Sequence, residues 1–486
     1  MAGWIMIILV TLALPRPLYR IFFHPLRGYP GPLLTAVSSI PYVYWTITGV
    51  LHARIRELHD LYGPVVRLRP NALTYRTPEA WTDIYGYRKH GALPFSKDPE
   101  FFTPTAPGSS HMVNASEADH ARQKKLLAHA FSDRSLREQE ALIVGYIDLF
   151  IERLQEYADS RQDVNIEKWL NFLTFDIIGD LAFGEPFGCL QGSEYHPWVA
   201  TVFQSIKTGA CMRAMAIYPP LLKVFCTFMP SSFTQKRVAH YQMSKDKVSR
   251  RLATETARPD IISYIQRYNE DDERGMLRAE IETNAAIIIQ AGSETTATAL
   301  AACLFYLLKH PVWLARVREE VRGSFKDGES ITFSAVSVLP GVNAVIEESL
   351  RLFPPAPAIG PRVVPAGGAM VDGGFVPGGI SVSVAHYSAF RAASNFIEPD
   401  SFRPERWLEH KGRFSGDRRE ALQPFSYGPR ACIGRNLAYA EMRTILAKIL
   451  WNFDVELQPQ SASWDDCKSY IVWEKGPLWV CLNKSV

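Results

Sequence analysis

The stretch Phe425-Ser-Tyr-Gly428-Pro-Arg430-Ala-Cys432-Ile-Gly434 decides the reading of this chain, because it sets one cysteine in a loop shaped by glycine and proline directly ahead of a helix-forming run. Gly428, Pro429 and Gly434 let the backbone turn tightly and approach a flat ligand, since glycine has no side chain to clash and proline fixes its own φ. Helix-forming residues continue from about Arg435 to Trp451. Cys432 is therefore expected near the positive end of a helix, with Arg430 as a further cation, a setting that favours thiolate over thiol. A metal-ligating sulfur beside a flat group needs this arrangement. A lone cysteine is by default a small buried hydrophobe, so the reading needs independent support.

Three more motifs supply it. Ala291-Gly292-Ser-Glu294-Thr295-Thr296 lies in an apolar helical run from about Glu282 to Lys309. Gly292 is expected to leave a gap in the helix wall, and Thr295, one turn from Ala291, to bond back to a helical carbonyl. Glu294 adds an ionisable group. Glu348-Ser-Leu-Arg351 puts a carboxylate and a guanidinium three residues apart on one helix face, ordinarily a surface pair of little worth. The third motif, His120-Ala-Arg-Gln-Lys124-Lys125, precedes Phe131-Ser132.

In this order and spacing the motifs resemble the cytochrome P-450 monooxygenases, a fold that is mainly α with a smaller β portion. Phe-x-x-Gly-x-Arg-x-Cys-x-Gly is similar to the family's haem-binding loop, which implies haem b with Cys432 as the axial iron ligand and Phe425, Arg430 and Gly434 around the cofactor. The resemblance makes Ala291 and Gly292 the oxygen-binding groove, with Thr295 and Glu294 as the catalytic pair that delivers protons. It brings Arg406, in Phe402-Arg-Pro-Glu-Arg-Trp407, to Glu348 and Arg351 as a buried structural cluster. His120 and Lys124 fall where the family holds a haem propionate. Lys124 stands where arginine is common, which leaves a point charge in place of a bidentate fork. Arg430 and Arg362 are the stronger propionate candidates. Phe23-His-Pro-Leu, Tyr29-Pro-Gly-Pro32, Tyr62-Gly-Pro-Val65 and Phe175 to Gly184 resemble the fungal branch that serves secondary metabolism.

Composition agrees. The chain has 486 residues, 47% hydrophobic and 21% charged, enough for a large core. A net charge of +3 gives no case for nucleic acid. The seven cysteines, at 189, 211, 226, 303, 432, 467 and 481, show neither a disulfide framework nor zinc spacing. The apolar run Ala2 to Leu14 is short for a spanning helix, which needs about 20 residues. Arg16, Arg20 and Arg27 after it point to a cytosolic catalytic domain. Resemblance to the family's microsomal members implies that residues 1–23 anchor the protein in the endoplasmic reticulum membrane, and 24–486 are expected to form one catalytic domain, monomeric.

Strands are expected at Val65 to Arg69 and Leu73 to Tyr75 around a Pro70-Asn71 turn, again from Arg362 to Ala385, and as a closing hairpin of Ile471 to Trp473 with Leu478 to Cys481. From about Ala121 to Leu308 the pattern is helical, broken at Gly184 to Gly192, Pro219-Pro220 and Asn269 to Gly275. On the substrate side, Ile287, Ile288 and Asn284 share the stripe of Thr295, with Asn284 the amide that could orient a substrate oxygen. A loop from about His90 to Met112, with Phe101 and Phe102, is expected to roof the pocket, and Ala356, Ala358 and Ile359 to edge it. These residues point to a bulky apolar substrate, though core packing shares the composition. By resemblance, O2 is the oxidant and a separate NADPH-dependent cytochrome P-450 reductase the electron donor, with Arg122, Lys124, Lys125 and Arg435 as its docking face. Desaturation, ring coupling, reductase-independent isomerisation and peroxide-driven oxidation stay open as same-fold alternatives, and a non-catalytic haem sensor as one from another class.

Overall fold

The helix Arg278–Lys309 runs for 32 residues, and its composition accounts for both length and position. Apolar and small residues occupy every face, so no side is left for water and the helix is buried along most of its course. Its start is set by Glu280, whose carboxylate accepts the Leu277 N–H at 2.9 Å. Among the described residues it is the one helix long and apolar enough to cross a membrane, yet 72% of that apolar window is buried inside the protein, so it is a core helix. Ile166–Phe183 packs along it, and Pro340–Leu352 and Arg435–Asn452 complete the bundle around the larger hydrophobic core.

The computed structural model describes residues 15–88, 93–102, 110–228, 231–254, 260–269, 275–358, 360–409 and 411–485, with side chains for all of these except 197–203, 231–241 and 268. Residues 90–92 and 103–109 of the expected roofing loop, Ile359, and residues 1–14 of the expected anchor lie outside them. The fold is mainly α with a smaller β portion.

A five-stranded sheet backs the bundle. Strands β1 (Val65–Arg69), β2 (Ala72–Tyr75), β3 (Ser96–Lys97), β5 (Arg362–Val363) and β8 (Ser381–Val384) run in the order β1-β2-β8-β5-β3, with β4 (Val164–Asn165), β6 (Ala369–Val371) and β7 (Gly374–Val376) outside this sheet. β2 and β8 are parallel, the other pairs antiparallel. In the β3–β5 register Lys97 lies opposite Arg362, which sets two cations from distant parts of the chain side by side. The helical break expected at Pro219-Pro220 falls at residues 217–218, and Pro219 opens the next helix, Pro219–Phe228, where its missing N–H costs nothing. The expected closing hairpin does not form. Val472–Glu474 pairs instead with Lys468–Tyr470 around Ile471 at φ +84°, while Trp479–Lys484 pairs with Phe453–Leu457 and Val164–Asn165.

Glu348, Arg351 and Arg406 meet as expected, and all three side chains are fully buried. Arg351 grips both Glu348 oxygens at 2.8 Å, and Arg406 reaches the same carboxylate at 3.1 Å. The Arg403 N–H and the Trp407 indole donate to it at 2.8 and 3.0 Å. Asp417 pairs with Arg406, so two carboxylates face two guanidiniums and the cluster is neutral. Burial pushes the Glu348 pKa up, but the two arginines and the Arg403 N–H outweigh it and the net direction is down. Its stabilising contribution is therefore complete above the ordinary glutamate value of about 4.3 and is lost as pH falls through the lowered one. Glu348→Ala strands two buried cations on one remaining carboxylate and is expected to lower stability by roughly 3–5 kcal/mol, measured by urea unfolding. Loss under about 1 kcal/mol, the range of exposed pairs, would count against the cluster.

Candidate active site

The loop from Phe425 to Gly434 is held at three points. The Cys432 N–H donates to the Phe425 carbonyl at 2.8 Å and the Ala431 N–H to that of Gly428 at 3.0 Å. Ser426 and Gly428 both take positive φ, +63° and +74°. At Gly428 a Cβ would run into the Tyr85 carbonyl oxygen and lie 3.1 Å from the Gly86 Cα, so only glycine lets the loop dock on the end of the Pro78–Tyr85 helix. Lys124, on the helix Glu117–Ala128, donates from below to the carbonyls of Pro429 at 2.5 Å and Ala431 at 3.3 Å. That differs from the expected propionate role. Lys124 clamps the loop and does not line the cavity above it.

Cys432 faces that cavity, which has a volume of about 380 Å³, within the usual range of ligand sites. Its thiol is pushed up by burial, against the Gly434 N–H and the cations of Lys124 and Arg435. A bound metal ion would deprotonate the thiol outright.

One edge of the cavity is formed by the basic side chains of Lys97, His120, Arg362 and Arg430. Arg362 Nη1 and Arg430 Nη1 are buried there without a hydrogen-bond partner among the described residues. Glu117 pairs with Arg430 at 2.8 Å from the solvent side. Lys97 donates to the Val113 carbonyl; burial first, then Arg430 and Arg362, pull its pKa down to about 6. His120 is held to about 3 by burial and then the same cations, so it is neutral. Lys97 escaped the sequence reading, since only the β3–β5 pairing brings it to Arg362.

The opposite wall belongs to the Arg278–Lys309 helix. Ile287, Ile288, Ala291, Gly292, Thr295 and Thr296 line it, and Ala356 adds to it from the other side, while Ala358 faces a neighbouring cavity. The Thr295 hydroxyl donates to the Ala291 carbonyl at 2.5 Å, the expected back-bond, which leaves its lone pairs free. A Cβ on Gly292 would sit 3.0 Å from Ile178, so glycine there also admits the neighbouring helix, beyond any gap in the wall. Asn284 does not face substrate. Its amide is used up by the Met112 N–H at 2.9 Å, Gln123 at 3.2 Å and the Glu280 carbonyl at 2.8 Å.

Glu294 likewise turns away from the cavity. It is fully buried, 2.8 Å from Lys475 and 3.2 Å from the Thr298 hydroxyl, with Oε2 unpartnered. Lys475 also reaches Glu167 at 3.2 Å, so two carboxylates share one ammonium. Burial, with Glu167 adding to it, raises Glu294 to about 7 despite Lys475. These groups border a second cavity of about 240 Å³ with Tyr195, Lys207 and Glu474. No sequence motif pointed to Lys475.

The cytochrome P-450 family model matches residues 30–482. The chain is a cytochrome P-450. It is 66% identical over 471 residues to the cytochrome P-450 monooxygenase astJ of Aspergillus oryzae, covering 96% of this chain and 94% of that one. The cytochrome P-450 monooxygenase astA of Talaromyces wortmannii is 43% identical, with 96% and 94% covered, and the averantin hydroxylase of Dothistroma septosporum 42%, with 96% and 88%. As a cytochrome P-450 monooxygenase the protein belongs to an enzyme family that carries haem iron on a cysteine thiolate. The residues present fit that group: a thiol opens onto the cavity floor, and two orphaned guanidinium nitrogens stand where a dianionic edge would satisfy them. Gly428→Ala is expected to yield protein without the reduced-CO absorbance band of thiolate-ligated haem, since the loop cannot seat on Tyr85; a normal band would refute the docking argument.

Proposed function

We propose that this cytochrome P-450 monooxygenase inserts oxygen from O2 into a bulky apolar intermediate of fungal secondary metabolism, with Cys432 as the iron ligand and electrons from a separate NADPH-dependent reductase. One juxtaposition carries the reading. Cys432 and the Thr295 hydroxyl face a single cavity whose remaining walls include Phe131, Ile178, Ile287, Ile288 and Leu350. Haem, when bound, supplies one-electron chemistry and oxygen activation, which thiolate donation favours. Arg362, Arg430 and Lys97 would hold its two carboxylates, and neutral His120 would donate a hydrogen bond to one of them. The apolar walls orient the substrate and keep bulk water out. Thr295, its own proton committed to Ala291, offers lone pairs to a water that carries protons. Glu294 stores a proton near neutrality, and once protonated it is released from Lys475 to pass that proton on.

Relatives in fungal secondary metabolism, one of them named a hydroxylase, favour hydroxylation over the same-fold alternatives. A membrane location is supported by apolar residues exposed together: Leu18, Phe22, Phe23 and Leu34 near the N-terminus, with Leu221 and Phe228. The two groups are joined where the Tyr218 hydroxyl meets Ser38 and the Ser39 N–H at 3.1 and 2.9 Å. We assign this face to the endoplasmic reticulum surface. Lys125 and Arg435 remain for the reductase, because Arg122 is tied to Glu280 at 2.6 Å and Lys124 to the cysteine loop.

The decisive experiment reconstitutes the protein with reductase and NADPH on extracts of a strain lacking the gene. A product heavier by one oxygen, absent without NADPH, is expected; conversion that persists without NADPH would favour isomerisation. Thr295→Ala is expected to keep haem and NADPH consumption but to divert electrons into peroxide, so unchanged coupling would remove Thr295 from proton delivery. Because Glu294 titrates at about 7, turnover should fall as pH rises through that value. Glu294→Gln should be slower and lose this limb, and an unaltered pH profile would contradict the role.

A further inference from the structure

A cavity of about 120 Å³ lies beside the catalytic one, between the helices Ile40–Thr48, Leu51–Tyr62 and Pro197–Ala216 and the strands β1, β2 and β8. The partition is thin. Phe101, Pro357, Ala358 and Pro361 face the smaller cavity, while Phe102, Ala356, Gly360 and Arg362 face the larger. Phe101 and Phe102 meet edge to face with centroids 5.0 Å apart.

Most of the lining is apolar, as for Leu51, Ile55, Leu68 and Leu73. Its charged groups are Arg69, Glu100 and Arg213. Arg69 and Glu100 pair at 2.6 Å, and Asp98 stands 3.8 Å from the same guanidinium. His52 is held neutral, its pKa drawn down to about 4 chiefly by burial. Arg213 is left over. It makes no hydrogen bond or ion pair with any described residue, and its one recorded contact of interest is the Phe101 ring, 5.6 Å from the guanidinium carbon. Burial lowers its pKa with no carboxylate opposing. Tyr42 lines the same cavity with the Arg69 guanidinium 4.9 Å from its ring centroid, and its hydroxyl makes no hydrogen bond with a described residue. A partly desolvated guanidinium without a counter-charge is costly, and a planar fork beside a free phenol suits a carboxylate.

We propose that Arg213, helped by Tyr42, anchors a carboxylate carried by the substrate, so that the substrate is an amphipathic acid whose apolar body extends past Phe101 and Phe102 toward Thr295. This rests on the monooxygenase reading and adds the substrate's chemical class. It also fixes the reacting carbon at a distance from the acid group.

Calorimetric titration of the holoenzyme with laurate and dodecanol, matched in chain and differing in charge, tests it. The parent protein is expected to bind laurate about tenfold tighter than dodecanol, the scale of one charge-assisted pair. Arg213→Gln should abolish that preference while leaving dodecanol unchanged, Arg213→Lys should restore part of it, and Tyr42→Phe should weaken laurate alone. Equal binding of the two probes by the parent, including no binding of either, or a preference that survives in Arg213→Gln, overturns the proposal. The reduced-CO band of each protein is recorded separately, so failure of the haem-thiolate reading is told apart from failure of the anchor.

Discussion

The buried charge on Glu348 is the constraint on which the cysteine side of the protein depends. A carboxylate with no exposure is tolerable only if every lone pair is met, and meeting them draws together Arg351 on its own helix, the Arg403 peptide, Arg406, Trp407 and, through Arg406, Asp417. Segments far apart in sequence are thereby fixed against the Pro340–Leu352 helix. The neighbouring Glu347 accepts the Tyr439 hydroxyl at 2.6 Å, and Tyr439 packs against Phe425 with centroids 5.2 Å apart. The loop carrying Cys432 is thus registered against a neutral ionic knot by way of one phenol.

Charge is distributed around the catalytic cavity with a consistent logic. Cations crowd one edge with more donors than protein acceptors, a debt that only an anionic ligand settles. The opposite helix offers a hydroxyl whose proton is already spent, and behind it a carboxylic acid poised near neutrality by burial and a shared ammonium. Burial is the largest cause in each of these titratable groups, lowering Lys97 and His120 and raising Glu294 and Cys432, and together they separate ligand binding from proton handling on two sides of one helix.

The motifs around Cys432, Thr295 and Glu348 were legible because they are local, and a spacing of three or four residues fixes which side chains share a helix face. Strand positions at β1, β2 and the Arg362 to Ala385 region were legible for the same reason. The C-terminal pairing was not, because alternation identifies a strand without naming its partner, and Trp479–Lys484 found Phe453–Leu457. Asn284 was read as facing the cavity from its helix position and Lys124 as a propionate contact from the resemblance, whereas the neighbouring Gln123, Met112 and loop carbonyls had prior claim on their polar atoms.

By itself the sequence determined the fold class and, through the resemblance of its motifs, the family, the sulfur that faces the cavity and the Glu348, Arg351 and Arg406 members of the buried knot, whereas Arg403, Trp407 and Asp417 joined the knot only in the fold. Tertiary structure decided where Glu294 points, what Lys124 holds, that Lys97 joins Arg362, and that Arg213 is left without a counter-charge. All four depend on contacts between residues dozens to hundreds apart, where the competition for hydrogen bonds and burial is settled only once the chain has closed on itself.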